Sequence, residues 1–114
     1  MTKYLISFPS EAMVFPEGEF EAVSRDSRAV IEEAKAAGVY VFGGGLNENV
    51  PPVLVAADGT ASEGTTYPDV RVPNGGYTIL ELPSREAAVE WASKLATACR
   101  CSQEVREFMY DPAS

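Results

Sequence analysis

Gly75-Gly76-Tyr77-Thr78-Ile79-Leu80-Glu81-Leu82-Pro83-Ser84-Arg85-Glu86-Ala87-Ala88-Val89-Glu90-Trp91-Ala92 holds a turn, a strand, a stop and a helix start in direct succession. Tyr77 to Leu82 is rich in aromatic and branched side chains, which suit a pleated, half-buried strand. Pro83 lacks an amide donor and ends it. Ser84 then has the chemistry of an N-cap, and Glu86 in the first turn is favoured by the helix dipole. Beyond it Ala88, Trp91, Ala92, Leu95 and Cys99 recur at helical spacing, a stripe with Trp91 at its centre that is expected to anchor a helix–sheet core.

The flanks extend this strand–helix unit in both directions. Upstream, Lys3 to Phe8 reads as an opening strand stopped by Pro9. A helix is expected from about Glu17 to Ala37, with Phe20, Val23, Ser27, Val30, Ile31 and Ala34 on one stripe and Gly38 as its C′ residue. Val39 to Phe42 reads as a strand apolar on both faces, with Tyr40 and Phe42 on one side and Val39 and Val41 on the other. Gly43-Gly44-Gly45 lacks the Lys-Ser/Thr of a phosphate loop and reads as a bulge or a close backbone approach. Val53 to Ala57 followed by Asp58-Gly59 is the first arm of a hairpin, because Asp-Gly accepts the positive φ angles of tight turns. The return strand is expected near Val70-Arg71-Val72, inside the irregular stretch Thr60 to Asn74. Downstream, Gln103 to Tyr110 is the closing strand.

The order strand, helix, strand, hairpin, strand, helix, strand predicts an α+β domain. Its plan is ferredoxin-like βαββαβ, an antiparallel sheet with two helices on one face. Two helices cover only one face of strands that are apolar on both. A homodimer with the sheets back to back is therefore expected.

Composition sets the remaining limits. The 114 residues are 46% hydrophobic and 23% charged, the make-up of one domain spanning residues 1–114. A compact chain of 12.2 kDa exposes about 6,000 Å². No apolar run reaches the roughly 20 residues of a membrane span, and the first residues lack a signal-peptide pattern, so a cytoplasmic protein is expected. The net charge of −8 repels phosphate backbones and anionic lipid heads, which disfavours nucleic acid and membrane as partners. The absence of His removes Ser–His and Cys–His pairs and the usual base near neutral pH. Cys99 and Cys101 are too close along the chain for an unstrained disulfide and, without further Cys or His, form no complete zinc site. Neither cofactor nor metal is expected.

Several segments resemble the YCII-related (DGPF) domain family. They are Gly38 to Leu46 closing an acidic helix, Gly75 to Ala92, Glu104-Val105-Arg106 near the end, and the opening Lys3-Tyr4-Leu5. The resemblance implies a ferredoxin-like subunit that dimerises as an α+β barrel, and a few relatives that act on small cyclic or chlorinated aromatic compounds with a His–Asp pair. Here the chain departs from the family. The Asp-Gly-Pro-Phe segment is replaced by Gly64-Thr65-Thr66-Tyr67-Pro68-Asp69-Val70-Arg71, no His exists, and Leu95-Ala96-Thr97-Ala98 carries no acid.

Two function classes remain: a non-catalytic dimeric module that binds a small molecule or a partner protein, and an isomerase- or lyase-type enzyme using Tyr or a carboxylate as acid–base. No catalytic residue is assigned. The candidate ligand pocket lies at the rim of the sheet under Thr60 to Asn74, with Tyr67, Asp69 and Arg71 beside Tyr77. Tyr4 and Tyr40 are further phenols able to line a pocket. The plainer readings are an Asp69–Arg71 pair solvated at a strand edge, tyrosines buried in a core, and a segment that reaches across the dimer to bury Pro68, Val70 and Val72.

Overall fold

Local signals decide the second helix. In the computed structural model, which describes residues Met1–Ser114, the Ser84 side chain accepts a hydrogen bond from the Ala87 amide at 3.1 Å. The helix α2 then runs Arg85–Cys99. Its buried face is Ala88, Ala92, Leu95, Ala98 and Cys99, mostly small residues that let the helix lie close to the sheet. Trp91 is only half-buried at the margin of that face, with the Lys94 ammonium 5.3 Å from the centroid of its ring. The expected central anchor is thus a flank, because the small alanines occupy the line of closest approach. The largest fully buried side chains are Ile6, Leu80 and Leu82.

The first helix, α1, spans Phe20–Ala36, three residues shorter at its start than the spacing predicts because Gly18 turns the chain with φ +92. Val23 and Ala34 are buried, with Val30 and Ile31 beside them. Phe20, assigned to the same stripe, is the first residue of the helix and is 69% exposed. Gly38 ends the helix with φ +76.

The strands are β1 (Thr2–Phe8), β2 (Tyr40–Gly45), β3 (Val53–Val55), β4 (Ala61–Glu63), β5 (Gly76–Leu82) and β6 (Glu104–Glu107), with a single 3-10 turn at Ser10–Ala12. Four of them form one antiparallel sheet in the order β2-β5-β1-β6. This α+β arrangement, with two helices, is compatible with the ferredoxin-like plan. Tyr4, Ile6, Leu80 and Leu82 meet Ala34, Ala88, Ala92 and Leu95 in the core, so both helices cover the same face.

The open face differs from expectation at β2. Tyr40 is opposite Leu80 but Phe42 is opposite Ile79, so one step along β5 spans two along β2 and Val41 is the extra residue of a bulge. Tyr40 therefore lies on the helix side, whereas Phe42 turns to the open face with Leu5, Tyr77 and Ile79. The bulge precedes the glycine run instead of lying within it. The closing strand also ends early, at Glu107, and Met109 and Tyr110 stand almost wholly exposed beyond it.

The hairpin forms a separate two-stranded sheet. Its return strand is Ala61–Glu63, not Val70-Arg71-Val72. The turn closes through Ala56 N–H to Thr60 O at 2.8 Å, with Gly59 at φ +92 as Asp-Gly predicts. This pairs Val55 with Ala61 and leaves Val70 to Val72 outside any strand.

Candidate functional site

Because β1 is central, its end at Ser7 lies beside both Tyr77 of β5 and Glu104 of β6. Alternation places all three side chains on the open face, together with Arg106, two residues past Glu104. The strap from Thr65 to Pro73 then returns over the rim and brings Arg71 to the same place. A depression of about 200 Å³ results, whose polar lining is Ser7, Arg71, Asn74, Tyr77, Glu104 and Arg106.

Its electrostatic centre is Glu104. One carboxylate oxygen accepts from Arg71 Nη1 at 3.2 Å and the other from Arg106 Nη2 at 2.5 Å. Two guanidiniums converge on this one carboxylate, and the Glu11 carboxylate, which feels the Arg71 charge, is the second acid at the rim. Each guanidinium also keeps donors free, since Arg carries five and directs them in a planar fork. Asn74 fixes the strap: its Oδ1 accepts from the Ser10 amide at 3.1 Å and its Nδ2 donates to Glu11 at 2.8 Å. The Glu11 carboxyl is held below its usual range by its own backbone N–H and by Asn74, with Arg71 adding to the effect. These are the hydrogen bonds of the lining side chains, so the Ser7 and Tyr77 hydroxyls remain free for a ligand.

Of the sequence-predicted site residues, Arg71 and Tyr77 come together here. Tyr67 does not. It is 72% exposed and lines a different, apolar groove of about 310 Å³ between the hairpin and the strap, with Leu54, Val70 and Val72. Asp69 lines neither, since it occupies a left-handed turn position with φ +59, a conformation that Asp tolerates. The strand edge expected for Asp69 and Arg71 does not form, so nothing aligns the two side chains as a pair. Tyr4 is buried in the core, where desolvation and then the Glu107 carboxylate push its phenol up. Tyr40 packs against the core with Lys35 5.2 Å from its ring. Sequence reasoning missed Ser7, Glu104 and Arg106. Their only sequence signal is the i, i+2 spacing of Glu104 and Arg106 on a strand.

A broader depression of about 470 Å³ lies along the open face under the C-terminal residues, between Lys3, Val41, Ile79 and Tyr110. Lys3 there pairs with Glu81 at 3.5 Å, and Asp111 adds a further acid to the lining. Cys99 is buried and free, and burial followed by the proximity of Cys101 raises its thiol to about 11. Burial raises Cys101 as well, so neither thiol is a ready nucleophile near neutral pH. No group of three His, Cys, Asp or Glu side chains is placed to hold a metal ion, and no helix is long and apolar enough to cross a membrane. No protein-family model and no curated protein matches the chain.

Proposed function

We propose that this protein is a homodimeric small-molecule-binding module of the YCII-related type, in which the rim depression takes a small organic anion. The observation that carries this reading is the sharing of Glu104 by Arg71 and Arg106, which leaves spare guanidinium donors beside two free hydroxyls. A carboxylate or phenolate fits that donor set, with Arg fork geometry supplying two parallel hydrogen bonds. The binding reading is favoured over acid–base catalysis because both Glu104 oxygens are already committed as acceptors. Dimerisation is supported by the open sheet face, where Leu5, Phe42, Tyr77 and Ile79 lie opposite the only side that the helices cover.

Thermal-shift titration with small carboxylates and their matched amides tests the site. A carboxylate present at about 100 times its dissociation constant adds about 2.7 kcal/mol of stability, and the shift is expected to vanish in Arg106→Ala. Equal shifts from the neutral amides, or an undiminished shift in the variant, would overturn the assignment.

A further inference from the structure

The β3–β4 hairpin packs substantially on no other strand or helix. An isolated two-stranded hairpin is marginal in water, and this one also presents apolar side chains to solvent, with Val53 at 53% and Val55 at 61% exposure. The strap that follows is equally unsupported. Thr65 to Pro73 forms no backbone–backbone hydrogen bond, and of its side chains only Arg71 is tied to the sheet, through Glu104. Val70 is 62% exposed.

The whole molecule shows the same deficit. Only 12 of 114 residues are buried and the accessible surface is 7922 Å², about 1,900 Å² more than a compact chain of this mass exposes. The radius of gyration is 16.0 Å, against about 13 Å for a compact domain of this length. An excess of this size matches what one subunit contributes to an obligate dimer, roughly 1,000–2,500 Å².

We propose that residues 47–73, the hairpin and its strap, are an arm that docks on a second copy of this chain. The inference rests on the dimer reading above and extends it. The open sheet face forms the centre of the contact, and the arm lies at its rim, where the symmetry of a two-fold pair brings each arm onto the other subunit. The occupant is a second copy because the sheet face and the arm adjoin, and the surface in excess is what a pair of such subunits would remove from water. The strap also delivers Arg71 to the rim depression. Docking of the arm therefore fixes one of the two guanidiniums, and the anion site is completed by dimerisation.

Sedimentation equilibrium on the full chain separates the arm from the sheet face. The double variant Val53→Asp, Val55→Asp is expected to weaken the dimer by more than about tenfold while leaving the far-ultraviolet spectrum of the main sheet and helices intact; charges on exposed strand positions cost the isolated fold little. In the unaltered protein, amide exchange in the hairpin is expected to slow by about tenfold between dilute, monomeric and concentrated, dimeric samples. A double variant with the parent dissociation constant, together with hairpin amides equally fast at every concentration, would overturn the arm. If Phe42→Asp dissociates the dimer and the arm variant does not, the sheet-face dimer stands and the arm falls. An unaltered protein that remains at 12.2 kDa at every concentration overturns both.

Discussion

At the scale of single residues, Gly75 governs how the strap leaves the sheet. Its φ is +80, and an added Cβ would lie 2.0 Å from the Phe8 carbonyl oxygen and 2.8 Å from the Ser10 nitrogen. Both obstacles are backbone, so no rotamer change relieves them. Its own carbonyl accepts from the Leu46 amide at 2.9 Å, which ties the ends of β2 and β5 together. Gly75→Ala is expected to cost more than about 2 kcal/mol in urea unfolding, from the positive φ and the clash combined. A loss below about 0.5 kcal/mol, the range of ordinary surface changes, would show that the strand end moves aside freely. Neighbouring Gly76 is a milder case, since its added Cβ would meet the Phe8 ring at 2.7 Å, and a ring edge can shift.

At the scale of elements, Arg100 joins the two helices. It caps α2 in the left-handed conformation with φ 59 and donates to Asp26 of α1 at 3.0 Å. That hydrogen bond, ahead of the general attraction of Arg100, holds the Asp26 carboxyl below its ordinary 3.8. A depressed folded value means that the stabilisation is present above 3.8 and is lost as pH falls through the lower value of the folded state. Asp26→Asn is expected to flatten the acid side of the stability–pH curve below about pH 4. Parallel curves for the two proteins would show that the pair adds nothing. Elements whose signals are local were readable in advance: the Ser84 cap, the Gly38 stop and the Asp-Gly turn all stand where chain neighbours put them. The return strand was not. Val70-Arg71-Val72 has the better strand chemistry, but the turn geometry sets Ala61-Ser62-Glu63 opposite Val53 to Val55, and pairing overrides propensity. The bulge at Val41 was equally hidden, since a period of two in sequence carries no mark of a residue that the partner strand skips. The site shows the same division. Arg71 and Tyr77 are near in sequence and were both found, whereas Ser7, Glu104 and Arg106 meet them only through the non-local pairing of β1 with β5 and β6.

At the scale of the whole molecule, shape and charge act against each other. The chain is a flat body of 44 × 43 × 22 Å with an open sheet face, yet each copy carries −8, and the proposed dimer would bring two such charges together. The apolar contribution changes little with moderate salt, or strengthens with excluded salts. The repulsion, by contrast, is screened, because the Debye length shortens from about 30 Å at 0.01 M to about 8 Å at 0.15 M ionic strength. The balance gives a sign: in the proposed dimer, raising sodium chloride over that range is expected to tighten association severalfold and to raise the thermal midpoint at fixed protein concentration. Sedimentation at several salt concentrations measures it. Weaker association with added salt would mean that ion pairs across the contact, formed by Lys3, Arg71 or Arg106, outweigh the repulsion. The apolar sheet face would then not be the surface that drives pairing. Arg106→Ala distinguishes the two cases, because it removes a cation from the rim without altering Leu5, Phe42 or Ile79. An apolar contact between net-negative subunits should survive that change and still tighten with salt, slightly more steeply because each copy then carries one more net negative charge, whereas a contact held by ion pairs should lose both affinity and its weakening by salt.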